Sequence, residues 1–560
     1  MTSIDASRPG GRSGRYIARA TAIAVTVCLG ASTRALAQAG GPHPYRPGVD
    51  VLDYAYTLDL PDRGGAIEGR AVLAVRRTGT VDTLVLDLVS LRVDSVWVNE
   101  QAVTFARTDS LIRIPLGRVV GDSFSVAVKY GGEPKDGLII RTDSAGRWTG
   151  FGDNWPNRAR NWIPGVDHPS DKATVTWTVR APGERKVVAN GELVEESPLP
   201  VRSGAPRTLT RWRESRPIPM YLMVIAAAPL VYYDLGRANC GVSEFDGCVR
   251  QSVYVYPELR DYLPGPFADA PAMVKFFSEL VAPFPYEKLA HLQSSTRYGG
   301  MENAGAIFYS DGAFRRRAIR SGLIAHETAH QWFGDAVTER EWSHVWLSEG
   351  FATYFANLWV QHSAGDSAFR ADMRGIREQI IKAPEVAARP VIDTAQTNLM
   401  ALLNTNSYQK GGWTLHMLRA LVGDSAFFRG LRSYYLGNRH ATAMTDDLQR
   451  AVEASSGRAL GWFFDQWLRR PGFAEVTTSW RYDAAQRRVV ATIGQAARFG
   501  AYRFPLTVAI TDAAGREHRA TIDVPAAASA TLVVPVDVGA SPRTVTFDPD
   551  VRVLGTFTAR

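Results

Sequence analysis

The chain has 560 residues, 45% of them hydrophobic and 21% charged, enough to bury several cores and to form three or four domains of ordinary size. The formal net charge of +8 is mild for this length, and half of it comes from the first 37 residues, where Arg8, Arg12, Arg15, Arg19 and Arg34 face only Asp5. No run of Lys and Arg interleaved with aromatics is present, so the charge pattern excludes a nucleic-acid footprint.

The Arg-rich start is followed by an apolar run at residues 20–29 and by Ala35-Leu36-Ala37 before Gln38, the parts of an export signal. The run is shorter than the roughly 20 apolar residues that span a bilayer. Residues 1–37 are therefore expected to be cleaved, leaving a periplasmic or secreted protein without stable membrane insertion. Cys28 follows Val27 rather than a small residue, which argues against a lipid anchor. Cys240 and Cys248 then remain, close together in a Gly-containing segment, as a possible disulfide in an oxidising compartment. With no histidine beside them they do not read as a metal site.

From residue 50 to about 257 short alternating segments such as Ala71-Val72-Leu73-Ala74-Val75 and Val175-Thr176-Trp177-Thr178-Val179 are bounded by Gly, Pro, Asp and Asn. This predicts an N-terminal antiparallel β domain over 38–250. Helical periodicity takes over at 272–280, 319–333, 349–361, 411–421 and 446–468, so residues 251–472 are expected to be mainly helical. Beyond Pro471-Gly472 the alternation returns in Val489-Val490-Ala491-Thr492-Ile493, Leu506-Thr507-Val508-Ala509-Ile510, Ala520-Thr521-Ile522 and Leu532-Val533-Val534, a C-terminal β-sandwich over 473–560. The expected fold class is α+β and multidomain.

Within the second helical pattern lies His326-Glu327-Thr328-Ala329-His330. Two histidines four residues apart project from one face of an α-helix, one turn apart, and can close on a single ion. Glu327, one residue round, reaches a water beside the ion without ligating it. A four-coordinate catalytic zinc takes a third protein ligand and keeps one position open. Glu349 follows after eighteen intervening residues, in Trp346-Leu347-Ser348-Glu349-Gly350-Phe351-Ala352 at the start of another helical pattern. A second helix packed antiparallel to the first would set this carboxylate across from the histidines. The expected centre is one Zn2+ per chain on His326, His330 and Glu349, with Glu327 as the catalytic base. His344 and His291 compete on chemistry alone, but neither stands in a helical relation to the motif.

Together with Gly299-Gly300-Met301-Glu302-Asn303 before it and Tyr408-Gln409-Lys410-Gly411 after it, this pattern resembles the aminopeptidase N family of gluzincin metallopeptidases, which includes leukotriene-hydrolysing bifunctional enzymes. Weaker matches are residues 158–172, with Ile163-Pro164 and Asp167-His168-Pro169, and Phe464-Asp465-Gln466-Trp467 before Pro471-Gly472-Phe473. The resemblance covers nearly all of the chain beyond the signal. It implies a thermolysin-like catalytic domain and removal of N-terminal residues from peptides with a free N-terminus. The glycines of the first motif would let an extended peptide approach the backbone, with Met301 and Asn303 beside them, and Glu302 would receive the substrate's α-ammonium group. Tyr408 would donate its hydroxyl to the oxyanion formed when water attacks the scissile carbonyl.

The chain also departs from that family. Where relatives have a glutamine and, two residues on, a glutamine or glutamate that bind the amine and first side chain, it has Asp153 and Trp155. Asp153 could still pair with an ammonium, whereas Trp155 would wall or narrow the first side-chain pocket. Gly165 stands where Cys is frequent and Asp335 where Asn is frequent. Many relatives carry a further helical domain over the active site. Without one, an open cleft and weak discrimination by peptide length are expected. Other readings keep the zinc site for endoproteolysis or epoxide hydrolysis, or keep the fold as a non-catalytic binding protein. Glu302 argues against endoproteolysis, no residue favours epoxide hydrolysis, and the intact ligands, base and tyrosine argue against a pure binder.

Overall fold

Alternating burial shapes the N-terminal half: in the strand Ile67–Arg77, Ile67, Ala71, Leu73 and Val75 point inward while Glu68, Arg70, Ala74 and Arg76 face solvent. The structure, a computed structural model, describes residues 46 and 48–559 except 118, 144, 201–205, 239, 240 and 246. The predicted signal at 1–37 and Cys240 lie outside the described residues. Cys248 is disulfide-bonded.

The N-terminal part is an eight-stranded sheet flanked by sheets of three and four strands. The expectation of a purely antiparallel domain needs one correction: Val49–Asp59 and Lys172–Pro182 run parallel, with Asp53 paired to Thr174. Alternation reports which face a side chain takes and is blind to strand direction. Beneath the sheet the rings of Tyr54, Tyr56, Trp177 and Trp162 stack in succession with centroids 5.0–5.4 Å apart. Tyr56 donates to the Pro164 carbonyl, and the Tyr54 hydroxyl accepts from the Val166 amide, each at 3.0 Å. Gly165 between them has no room for a side chain, since a Cβ would lie 2.4 Å from the Met220 sulfur.

The middle part has helices at all five segments that the periodicity predicts, and a further one, Asp424–Asn438, that it does not. The pattern at 446–468 is two helices, Thr445–Ser456 and Gly461–Leu468, parted at Gly457, whose φ of +67° ends the first. The pattern at 349–361 opens a longer helix, Trp346–Lys382, which breaks at Gly365 with φ +84°. The expectation of a helical middle third also misses a five-stranded sheet, in the order Val231–Ala238, Val249–Val255, Lys288–Ser294, Ala306–Ser310, Gly300–Met301. Every residue of Lys288–Ser294 is buried, so it shows no alternation. The boundary at 250/251 falls inside a strand of this sheet. The C-terminal part packs a four-stranded sheet with a three-stranded one, as a sandwich. Among the described residues no helix is long and apolar enough to cross a membrane.

The helix Trp346–Lys382 meets the helix Gly411–Val422 backbone to backbone. A Cβ on Gly350 would lie 2.9 Å from the Gly411 carbonyl carbon. Gly350→Ala is therefore expected to cost about 1–3 kcal/mol through overpacking. Gly375→Ala, in the same helix with nothing within 4 Å of the new atom, is expected to cost nothing. Thermal melts of the two variants check the difference.

Candidate metal centre

The helix Ser321–His330 packs on the helix Trp346–Lys382 and sets His326 and His330, one turn apart, toward Glu349 on the first turn of that helix. The Nε2 atoms of His326 and His330 are 3.1 Å apart, and each lies 3.3–3.4 Å from Glu349 Oε2. A tetrahedral ion with bonds of about 2.1 Å needs its ligand atoms about 3.4 Å apart, so the donor triangle fits a zinc ion. The tautomer fits too. The His330 Nδ1 lies 3.1 Å from the Phe333 carbonyl and donates to it, which leaves the Nε2 lone pair for a metal. Ser348 Oγ also lies 3.1 Å from that Nδ1. Gly334, with φ +119°, makes room for both, because a Cβ there would lie 2.4 Å from Ser348 Oγ.

A second carboxylate group closes round His330: ligand atoms of Glu302, Glu327 and His330 lie within 4.8 Å of one another. Burial raises Glu302 to about 7 and pushes Glu327 well above the carboxylate range, the other carboxylates adding to both. For Glu349 burial also raises, but His330 and His326 outweigh it and bring the carboxyl down to about 2. His330 shows the converse: burial opposes its charge, yet Glu302, Glu349 and Glu327 drive its proton affinity well up. The pocket attracts cations.

Gly300–Met301 is the edge strand of the five-stranded sheet and, among the described residues, pairs only with Tyr309 and Phe308. A Cβ on Gly300 would lie 2.2 Å from Glu327 Oε1, so this glycine is the space in which the carboxylate sits. Gly299 stands in open space, Met301 is 2% exposed, and Asn303 is buried. Gln331, which no motif in the sequence singles out, donates to the Glu302 carbonyl at 2.9 Å and accepts from the Gly305 amide at 2.8 Å. It hangs the glycine loop on the end of the motif helix, and its position directly after the second histidine was the available signal.

Tyr408 reaches the same space from a π turn, Asn406–Lys410. Its ring stacks with His326 at 5.9 Å. Burial, then the nearby carboxylates of Glu349 and Glu302, push its phenol well above the ordinary value. It stays a donor.

The other expected residues are placed differently. Asp153 is 1% exposed and its carboxylate is already engaged by Arg158 at 3.0 Å, Thr296 at 3.0 Å and Arg297 at 3.2 Å. It ties loops together, with Thr296 on one oxygen and the two arginines on the other. Trp155 lies edge-on between Tyr298 and Trp342, with centroids 6.3 and 5.4 Å away. His344 hydrogen-bonds Thr445 at 2.8 Å, and His291 contacts the Tyr309 hydroxyl at 3.0 Å in the core. Neither joins the donor triangle. Burial and the nearby Glu302 push the Asp335 carboxyl well above the usual range, against the lowering effect of His330 and Lys172.

Two family models match the chain: the peptidase M1 N-terminal domain over residues 53–222 and the peptidase family M1 domain over residues 268–467. An aminopeptidase N of Streptomyces lividans is 30% identical over 461 residues, covering 75% of this chain and 50% of that protein. A crystal structure of a mutant M1 zinc metallopeptidase of Deinococcus radiodurans superposes with a TM-score of 0.67 at 27% identity, covering 76% of this chain and 95% of that one. The same mutant has been solved bound to a Tyr-Ser-Ala substrate. An aminopeptidase A of Legionella pneumophila shares the fold, with a TM-score of 0.79 at 16% identity, covering 93% of this chain and 61% of that one. The chain spans about half the length of the curated relatives it matches, between 37% and 59% for the first three.

Zinc at a thousandfold excess over its Kd is expected to stabilise the protein by about 4 kcal/mol. The rise in melting temperature should vanish in His330→Ala and Glu349→Ala and persist in His344→Ala. A zinc-dependent rise that survives Glu349→Ala unchanged would remove that residue from the ligand set.

Proposed function

This chain belongs to the peptidase M1 family, and we propose that it is a zinc-dependent aminopeptidase that removes N-terminal residues from peptides outside the cytoplasm. The observation that carries this reading is the burial of Glu302, Glu327 and Glu349 around His330. Three carboxylates gathered out of water can all be ionised only beside cations, and a divalent metal together with one α-ammonium group matches that need. In this reading one Zn2+ is held by His326, His330 and Glu349, and when bound it supplies the Lewis acid that polarises the scissile carbonyl and acidifies a neighbouring water.

The chain's own residues do the rest. An extended peptide adds beside the edge strand Gly300–Met301 through main-chain hydrogen bonds, the usual way peptides join an open sheet edge. Glu302 receives the α-ammonium in charge-assisted hydrogen bonds, which brings the first peptide bond to the centre. Glu327 takes a proton from the attacking water and returns it to the leaving amine. A carboxyl lifted above its ordinary range serves as both base and acid. Tyr408 donates to the carbonyl oxygen as negative charge develops there. The disulfide-bonded Cys248 and the Arg-rich, apolar start support export. The substrate bound to the Deinococcus radiodurans relative supports peptides as the substrate class.

Aminoacyl-anilides are expected to be hydrolysed in a reaction that a chelator abolishes and zinc restores. Equal turnover of N-blocked analogues would overturn the aminopeptidase reading. Glu327→Gln is expected to retain zinc while losing at least about 100-fold in kcat, the range of general acid–base catalysis. Metal analysis beside steady-state kinetics checks it. Glu302→Ala is expected to lower kcat/KM on aminoacyl substrates by roughly 10- to 100-fold, the worth of hydrogen bonds to a charged group, with little change on N-blocked ones. A uniform loss on both kinds of substrate would take the ammonium away from Glu302.

A further inference from the structure

We infer that the C-terminal β domain sets the position of Tyr408 through a relay of two positioning residues, Arg470 and Lys410. The inference rests on the reading of Tyr408 as the oxyanion donor.

Tyr408 stands at the middle of a single π turn closed by the Lys410 amide, which donates to the Thr405 carbonyl five residues back at 2.9 Å. Such turns depart from regular helix and persist where their surroundings hold them. Two side chains, each two residues from Tyr408, hold this one. The Asn406 amide donates to the carbonyls of Glu385 and Arg389 at 3.1 and 3.2 Å. On the other side Lys410 is 0% exposed, and its Nζ donates to the Arg470 carbonyl at 3.2 Å.

No carboxylate pairs with Lys410 among the described residues, and burial together with the Arg470 charge brings its ammonium down to about 7. Burying an ammonium without a counter-ion is unfavourable. An apolar side chain would fill the same volume at less cost, so the lysine is there for its donor and its reach. The carbonyl that it grips belongs to the residue joining the catalytic and C-terminal parts. The Arg470 side chain crosses that boundary, donating to the Phe499 carbonyl at 2.6 Å and the Ala501 carbonyl at 3.5 Å. It lies 4.7 Å over the Tyr502 ring, whose hydroxyl donates to the Pro471 carbonyl at 3.0 Å. Gly472 and Gly500 let this clasp close: added Cβ atoms would lie 2.2 Å from the Phe499 ring and 2.8 Å from Arg470 Nη2 respectively. The C-terminal domain grips Arg470, the Arg470 carbonyl holds Lys410, and Lys410 anchors one end of the turn that carries Tyr408.

The test measures Lys410→Met, Arg470→Ala and Tyr408→Phe, singly and in pairs, by kinetics on an aminoacyl-anilide, zinc content and melting temperature. Lys410→Met and Arg470→Ala are each expected to lower kcat by about 10- to 100-fold, the effect of a small misplacement of a reacting group, with KM and zinc content unchanged. In the Tyr408→Phe background neither is expected to lower kcat further, because residues acting as one unit are non-additive. Losses that multiply in the double variants, or that follow zinc content or the folded fraction, overturn the relay. Where Lys410→Met does not fold, Arg470→Ala, at a half-buried position, carries the same comparison. Full kcat in Tyr408→Phe alone sinks the assigned role of Tyr408 and the relay with it, whereas additivity with an impaired Tyr408→Phe sinks the relay alone.

Discussion

The centre of this molecule is organised by three carboxylates that fold into the interior beside two imidazoles. Glu302 directly follows a sheet edge, Glu327 comes from the motif helix, and Glu349 from the helix Trp346–Lys382. Burial treats them alike, but their neighbours do not: the imidazoles bring Glu349 down to about 2 while Glu302 rises to about 7. One carboxylate is thereby committed to charge, and the other two can hold protons or receive a cation. Environments that drive like groups apart in proton affinity are how a site divides acid and base roles among identical side chains.

Bringing these groups together demands that the backbone give way. Gly300 leaves the volume that Glu327 occupies, Gly334 leaves that of Ser348 and the His330 ring, and Gly350 and Gly411 let two helices meet without side chains between them. That last contact couples the first turn of Trp346–Lys382, which carries Glu349, to the helix directly after Tyr408. A metal ligand and the oxyanion donor of the proposed chemistry are thus held at one glycine contact.

The reach of sequence reasoning follows from the range of the interactions involved. The histidine pair and Glu327 are legible because a helix repeats every 3.6 residues and fixes which side chains share a face. The three textures, strand then helix then strand, are legible because one-sided burial imposes a period. Lys288–Ser294 and Ala306–Ser310 escape because they are almost wholly buried and so have no period to show. Asp153 escapes for another reason: two of its partners, Thr296 and Arg297, lie 143 and 144 residues away, and no spacing announces such a network. A carboxylate at that position reads as free until the arginines beside it are seen.

That network bears on what the N-terminal domain contributes. The glycine loop is held on its N-terminal side by Arg297, bound to Asp136 and Asp153, and by the Tyr298 hydroxyl on the Trp155 carbonyl at 3.3 Å. On its C-terminal side Asn190 donates to the Ala304 carbonyl at 2.9 Å, and Lys288 bridges the carbonyls of Ala189 and Gly305 at 2.9 and 3.0 Å. Asp136, Asp153, Trp155, Ala189 and Asn190 all belong to the N-terminal part. Lys172, from the same part, donates to the carbonyls of Asp335 and Ala336 at 2.8 and 2.9 Å, just beyond the motif helix. A sheet edge only two residues long, Gly300–Met301, has too few ladder bonds to fix its own position. Its placement against Glu327 is therefore a property of the interface between the two domains, and the N-terminal domain belongs to the site as its supporting wall.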